Sequence, residues 1–186
     1  MQDFWLWFST GFLHICDWKG YDHILFVFAL CLSVPLSERK KLLILITAFT
    51  IGHSITLAFS VFDIVKIPGN VIEFLIPLTI LVTCINNILP KKNSSGNMLS
   101  NYCITLFFGC IHGLGFSYLL KSLLGREEQI IGPLFSFNLG LEAGQILILS
   151  CIFLISLTLG LFMKIKPAKI NLALSISISV IAMTMA

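Results

Sequence analysis

Residues 42–62 read LLILITAFTIGHSITLAFSVF, an apolar run with no charged side chain, preceded by Arg39-Lys40-Lys41 and followed by Asp63. A helix rising 1.5 Å per residue needs about 20 such residues to cross the roughly 30 Å of bilayer hydrocarbon. Working outward, comparable runs cover about 21–36, 70–90, 101–121, 133–163 and the stretch after Pro167. Backbone polar groups in lipid must be bonded within their own segment, so runs of this length predict helices. Residues 3–16 are shorter and rich in interface-seeking Phe and Trp. They predict an interfacial or re-entrant helix, ended by Lys19-Gly20. The expected fold class is all-α: a polytopic transmembrane helix bundle of six spans plus this short N-terminal helix, in one domain over 1–186. If residues 3–16 cross fully, the count becomes seven.

Composition agrees with this reading. The chain is 57% hydrophobic and only 11% charged, where soluble domains carry about 25% charged residues. Mean hydropathy is +0.97. A formal charge of +3 is too small to suggest nucleic acid. No basic residue precedes Lys19, so the start does not resemble the basic n-region of a secretory signal. The six cysteines lie mostly in apolar runs without CxxC spacing, and read as small packing residues.

Orientation follows from the cations. Arg39, Lys40 and Lys41, then Lys91 and Lys92, then Lys164, Lys166 and Lys169 occupy alternate loops and make eight of the twelve Lys and Arg. The opposite side holds Lys19, Lys66, Lys121 and Arg126. The positive-inside rule puts the first set in the cytoplasm and both termini outside. The expected location is therefore a cell (inner) membrane, crossed many times, with the N-terminus extracytoplasmic.

Ionisable groups inside spans cost about 3 kcal/mol each on insertion scales, and so mark function. Here they are Asp22, His23, His53, Glu73, His112 and Glu142, with His14 just before them. Counting residues from helix ends puts Asp22, His23, Glu73 and Glu142 near the outer surface and His53 and His112 near the midplane. That pattern is a funnel, with carboxylates at its mouth. Asn138, Glu142 and Gln145 share one helix face, as do Thr50, His53 and Ser54. Gly109 and Gly113, then Gly140 and Gly144, permit close helix approach beside those stripes. Pro77 interrupts its span and frees a carbonyl. Phe49-x3-His53 and Phe108-x3-His112 repeat one spacing on helices of the same direction, which predicts that the second and fourth spans are neighbours or pseudo-equivalents. Imidazole with carboxylate suits a divalent transition metal, and nickel, cobalt and zinc all fit the donor set.

These residues carry a resemblance. Gly11-Phe-Leu-His14 with Gly20-Tyr-Asp22-His23 is similar to the first signature of the HupE/UreJ family of membrane proteins. Phe49-Thr-Ile-Gly-His53-Ser54, Glu73, Phe108-Gly-Cys-Ile-His112-Gly113 and Phe137-Asn138-Leu-Gly-Leu-Glu142-Ala-Gly-Gln145 continue it, in order, over about 4–150. Members are regarded as nickel or cobalt permeases linked to hydrogenase and urease. Nickel-type members place five residues between the first His and Asp-His, whereas seven separate His14 from Asp22. Phe108 and Gly115 stand where their later motif has His and Glu.

The resemblance implies a metal-ion permease with metal ligands among His14, Asp22, His23, His53, Glu73, His112 and Glu142, supported by Ser54, Asn138 and Gln145. No phosphate-binding loop accompanies it, so transport would be passive, ion-coupled or powered by a partner. Three His with a carboxylate also suit an intramembrane zinc-dependent hydrolase of ceramidase type. A non-transporting metal-binding assembly protein is the third reading. The implied partners are the lipid bilayer and a metal ion; a homo-oligomer stays open.

Overall fold

The computed structural model describes residues 2–18, 20–35, 38–89, 98–124, 130–162 and 167–185. Among these there are seven helices and no strand: α1 (Gln2–Cys16), α2 (Asp22–Ser33), α3 (Arg39–Val61), α4 (Gly69–Ile88), α5 (Met98–Leu124), α6 (Ile131–Phe162) and α7 (Pro167–Met185). Four stretches are long and apolar enough to cross a membrane: α3, α4, α5 and Ile131–Thr158 of α6. Asp22–Ser33 and Lys169–Met185 are shorter apolar helices. The basic residues Lys19, Lys91, Lys92, Arg126, Lys164 and Lys166 lie outside the described residues.

Glycine contacts fix the directions. A Cβ on Gly109 would lie 2.2 Å from the carbonyl oxygen of Phe49, and one on Gly113 2.3 Å from that of His53. Phe49 with Gly109 and His53 with Gly113 is a parallel register, and α3 with α5 is the most extensive helix pairing. α1 and α6 pair in the same way. A Cβ on Gly140 would meet the Phe8 carbonyl oxygen at 1.9 Å, and one on Gly144 the Ile15 side chain at 2.1 Å. Both helix pairs therefore touch backbone to backbone, as small residues allow.

The earlier α6 residue Phe137 stacks with His53, whereas the later Glu142 and Gln145 bond Thr47 and Thr50, nearer the start of α3. α6 is thus antiparallel to α3, and so is α1. On α4, Thr79 meets His112 while Ile72 and Ile76 face Gly115, so α4 is antiparallel to α5. Asn87, eight residues after Thr79, donates to the Ala29 carbonyl, six residues after His23, at 2.8 Å. α2 therefore runs beside α4 in the same direction. All of α1, α2, α4 and α6 point toward the end of the bundle that carries Arg39–Lys41, here called the basic end.

This corrects the expected placement of the first span. α1 and α2 are two successive rods, about 22 and 18 Å long at 1.5 Å per residue. α2 continues in the direction of α1 rather than reversing it. Asp22 and His23 begin the second rod at the level of His53 and His112, not at the outer surface. The cause is length: α2, with 12 residues, starts deep and has only half the bundle left to traverse.

Two large apolar cores result, with a smaller third of Ile72, Ile76 and Ile111. Trp7, Ile15, Leu57, Val61, Leu120 and Phe137 belong to the core far from the basic end. Phe26, Leu30, Leu42, Leu45, Phe49 and Ile80 belong to the core near it. The histidines lie between the two. At the far end, Asp63 takes a left-handed φ of 60° and is ion-paired to Lys121 of α5 and, at 3.0 Å, to Lys66.

Candidate metal centre

Four helices each bring one imidazole to this middle layer. His14 lies in the last turn of α1, His23 in the first turn of α2, and His53 and His112 midway along α3 and α5. His23 is central. Its ring centroid is 4.7 Å from that of His14, 5.9 Å from His53 and 5.0 Å from His112. His14 and His53 are 6.1 Å apart. The α3–α5 glycine contact sets the separation of His53 and His112, because bulkier residues at Gly52, Gly109 and Gly113 would drive the helices apart.

Asp22 supplies the carboxylate. Its Oδ1 lies 3.1 Å from His23 Nδ1. Thr79 Oγ1 lies 3.0 Å from His112 Nε2. Residue patterns had not singled out Thr79; its one signal is a hydroxyl two residues beyond Pro77 in an apolar span.

The remaining ring nitrogens decide what this layer can do. His53 and His112 are 0% exposed and His23 3%. His14 Nε2, His23 Nε2, both nitrogens of His53 and His112 Nδ1 are buried with no hydrogen-bond partner among the described residues. A buried polar atom without a partner costs about 1–3 kcal/mol, and these five are gathered in one place. A metal ion accepts such lone pairs, so the residues fit one. Two triads have donor atoms mutually within 4.8 Å: His14, His23 and His53, and Asp22, His23 and His112. Both triads use His23.

Glu73 and Glu142 are not brought into this layer. Glu73 is exposed on α4, six residues before Thr79 and hence about 9 Å toward the far end. Glu142 was expected at the outer mouth. Instead its Oε1 accepts from Thr47 Oγ1 at 2.8 Å, and Thr47 lies six residues from His53 toward the basic end. The reason is the length of α6: at 32 residues it exceeds one membrane crossing, so counting from its inner end places Glu142 too high. The mouth-and-funnel arrangement therefore gives way to one compact central layer.

Gln145 accepts from Thr50 Oγ1 at 2.7 Å and, with Glu142, ties α6 to α3. Ser54 donates to the Thr50 carbonyl and Asn138 to the Leu134 carbonyl, each within its own helix. All six cysteines are free.

A HupE / UreJ protein family model matches residues 1–186, the whole chain. The chain belongs to the HupE/UreJ family. With its four long apolar helices, this HupE/UreJ protein is a membrane protein. The family is one generally related to nickel and cobalt transport. No curated protein and no solved structure matched the chain.

Proposed function

We propose that this HupE/UreJ protein is a divalent metal-ion permease of nickel or cobalt type, whose central layer takes ions from the extracytoplasmic side. The observation that carries this reading is the set of five unpartnered, buried imidazole nitrogens between two apolar cores. A lipid-embedded protein pays to keep such atoms, and transport is a reason to retain them.

In this reading the ion is the cargo. It crosses the layer by exchange at His23. The first position is His14, His23 and His53; the second is Asp22, His23 and His112. The shared ligand lets one bond persist while the others change, so the ion is never bare. Asp22 adds a negative charge to the second position only. Thr79, beside His112 Nε2, orients that ring so that its Nδ1 can serve as donor. Exposed Glu73, between the far end and the layer, is a carboxylate on the arriving cation's side. Membrane crossing by α1 and α2 as one broken span makes six crossings in all, with the basic end cytoplasmic. Broken spans that meet at the ion site are a recurring transporter device.

Equilibrium dialysis of cobalt against the purified protein, with uptake into proteoliposomes, tests the reading. His23→Ala should remove binding and uptake together. His14→Ala and Asp22→Asn should each leave one triad and weaker binding. Uptake by the His23→Ala variant at the wild-type rate would sink the proposal. Bound zinc with lipid amide hydrolysis, and no uptake, would favour the hydrolase.

A further inference from the structure

Each of α2, α3 and α5 carries a phenylalanine one turn from its histidine, always toward the basic end. On α2 it is Phe26, three residues after His23; on α3 Phe49, four before His53; on α5 Phe108, four before His112. The three rings meet. Phe26 stacks on Phe49 at 4.7 Å and stands edge-on to Phe108 at 6.1 Å. Phe26 and Phe49 also touch His112, at 5.2 and 5.1 Å. Phe26 and Phe49 are each 1% exposed. An apolar layer thus lies directly beneath the histidine layer.

Below that layer is a cavity of about 370 Å³ between α2, α4 and α5, with Phe26 and Phe108 in its wall. Ser33, Asn86, Asn101 and Thr105 also line it. It reaches Leu89 and Asn101, at the basic-end termini of α4 and α5. The rest of its wall is mostly apolar and it opens at the bundle surface; the carboxamides and hydroxyls are where water entering from the basic end would be held.

Resting on the permease reading, we infer that Phe26, Phe49 and Phe108 form the cytoplasmic gate of the ion path and that the cavity is its exit vestibule. A hydrated cation cannot enter a dry aromatic constriction without losing its shell, so the closed rings hold the ion at His112. Phe49 and Phe108 stand on helices locked backbone to backbone by Gly52, Gly109 and Gly113. Phe26 stands on α2, which at 12 residues is the shortest of the described helices and has no such glycine lock, and is the leaf that moves. The repeated Phe-x3-His spacing of α3 and α5 places two leaves under two ligands.

The test measures cobalt binding by dialysis and cobalt flux in proteoliposomes that trap a cobalt-quenched dye. Phe26→Ala and Phe108→Ala should bind cobalt as the wild type does and conduct it faster, on the order of tenfold, because the constriction is widened. Phe26→Leu repeats the measurement with a milder truncation. Variants that bind normally but conduct at the wild-type rate or slower would overturn the gate. A wild type that neither binds nor conducts cobalt would overturn the permease reading instead. A second measurement needs no phenylalanine change. In a background with the native cysteines replaced, Asn101→Cys, partly exposed in the cavity wall, should react with an impermeant maleimide added at the basic end. No reaction there would overturn the vestibule.

Discussion

At the scale of single residues, the centre depends on which ring nitrogens are committed and which are not. Thr79 engages His112 Nε2 and leaves Nδ1 toward the layer. Thr79→Val keeps the shape and removes the hydroxyl. Partners of this kind usually tune metal affinity by about 10–100-fold. Cobalt titration should show a loss in that range with the melting temperature little changed; unchanged affinity would remove Thr79 from the site. A different residue governs the far end. Lys121, then Lys66, hold the Asp63 carboxyl below its usual range. A depressed folded pKa stabilises the fold above the unfolded value of about 3.9 and is lost as pH falls through the folded value. The melting difference between wild type and Asp63→Asn should therefore be present at neutral pH and vanish in acid. It should be small and shrink with salt, because the pair is exposed. A difference that grows in acid would contradict the ion pair.

At the scale of helices, glycine placement holds the two parallel pairs. Gly140 faces the Phe8 carbonyl oxygen, a backbone atom that cannot turn aside, whereas a Cβ on Gly132 meets nothing within 4 Å. Gly140→Ala should therefore destabilise by about 3 kcal/mol, the upper end for overpacking. It should also weaken cobalt binding by drawing His14 off the layer. Gly132→Ala on the same helix should melt within about 1 kcal/mol of wild type. Thermal unfolding in detergent reads both. Equal melting of the two variants would mean that α1 is not held against α6 as described. The interruption between α1 and α2 acts at the same scale: His14 lies in the last turn of one rod and Asp22-His23 in the first turn of the next, so three candidate ligands flank one interruption.

For the whole molecule, the directions of the helices make a prediction about sides. α1 begins at the end where α3 finishes, so Asp3 and Lys66 belong to one side and Lys40 to the other. In a background without native cysteines, Asp3→Cys and Lys66→Cys should be labelled only from outside intact cells. Lys40→Cys should be labelled only after the membrane is opened. Label at position 40 from outside would reverse the orientation. Label at 3 and 66 from opposite sides would show that α1 and α2 do not make one broken crossing.

The sequence by itself determined the class of the protein and the parts of its centre. A chain that is 57% hydrophobic must bond its backbone internally in lipid, and this makes long apolar runs such as 42–62 helices whatever surrounds them. The cost of polar groups in lipid likewise made His14, Asp22, His23, His53 and His112 conspicuous, and the spacing shared by Phe49–His53 and Phe108–His112 pointed to the α3–α5 pair. Depth was not legible. Counting residues from a helix end gives position only if the helix starts and stops with the bundle; α2 starts midway along it, and α6 runs to 32 residues. Asp22 and His23 therefore sit deep rather than at a mouth, and Glu142 bonds Thr47 rather than facing an arriving ion. Only tertiary packing decided this, because backbone contact at Gly109, Gly113, Gly140 and Gly144 sets which levels of neighbouring helices coincide.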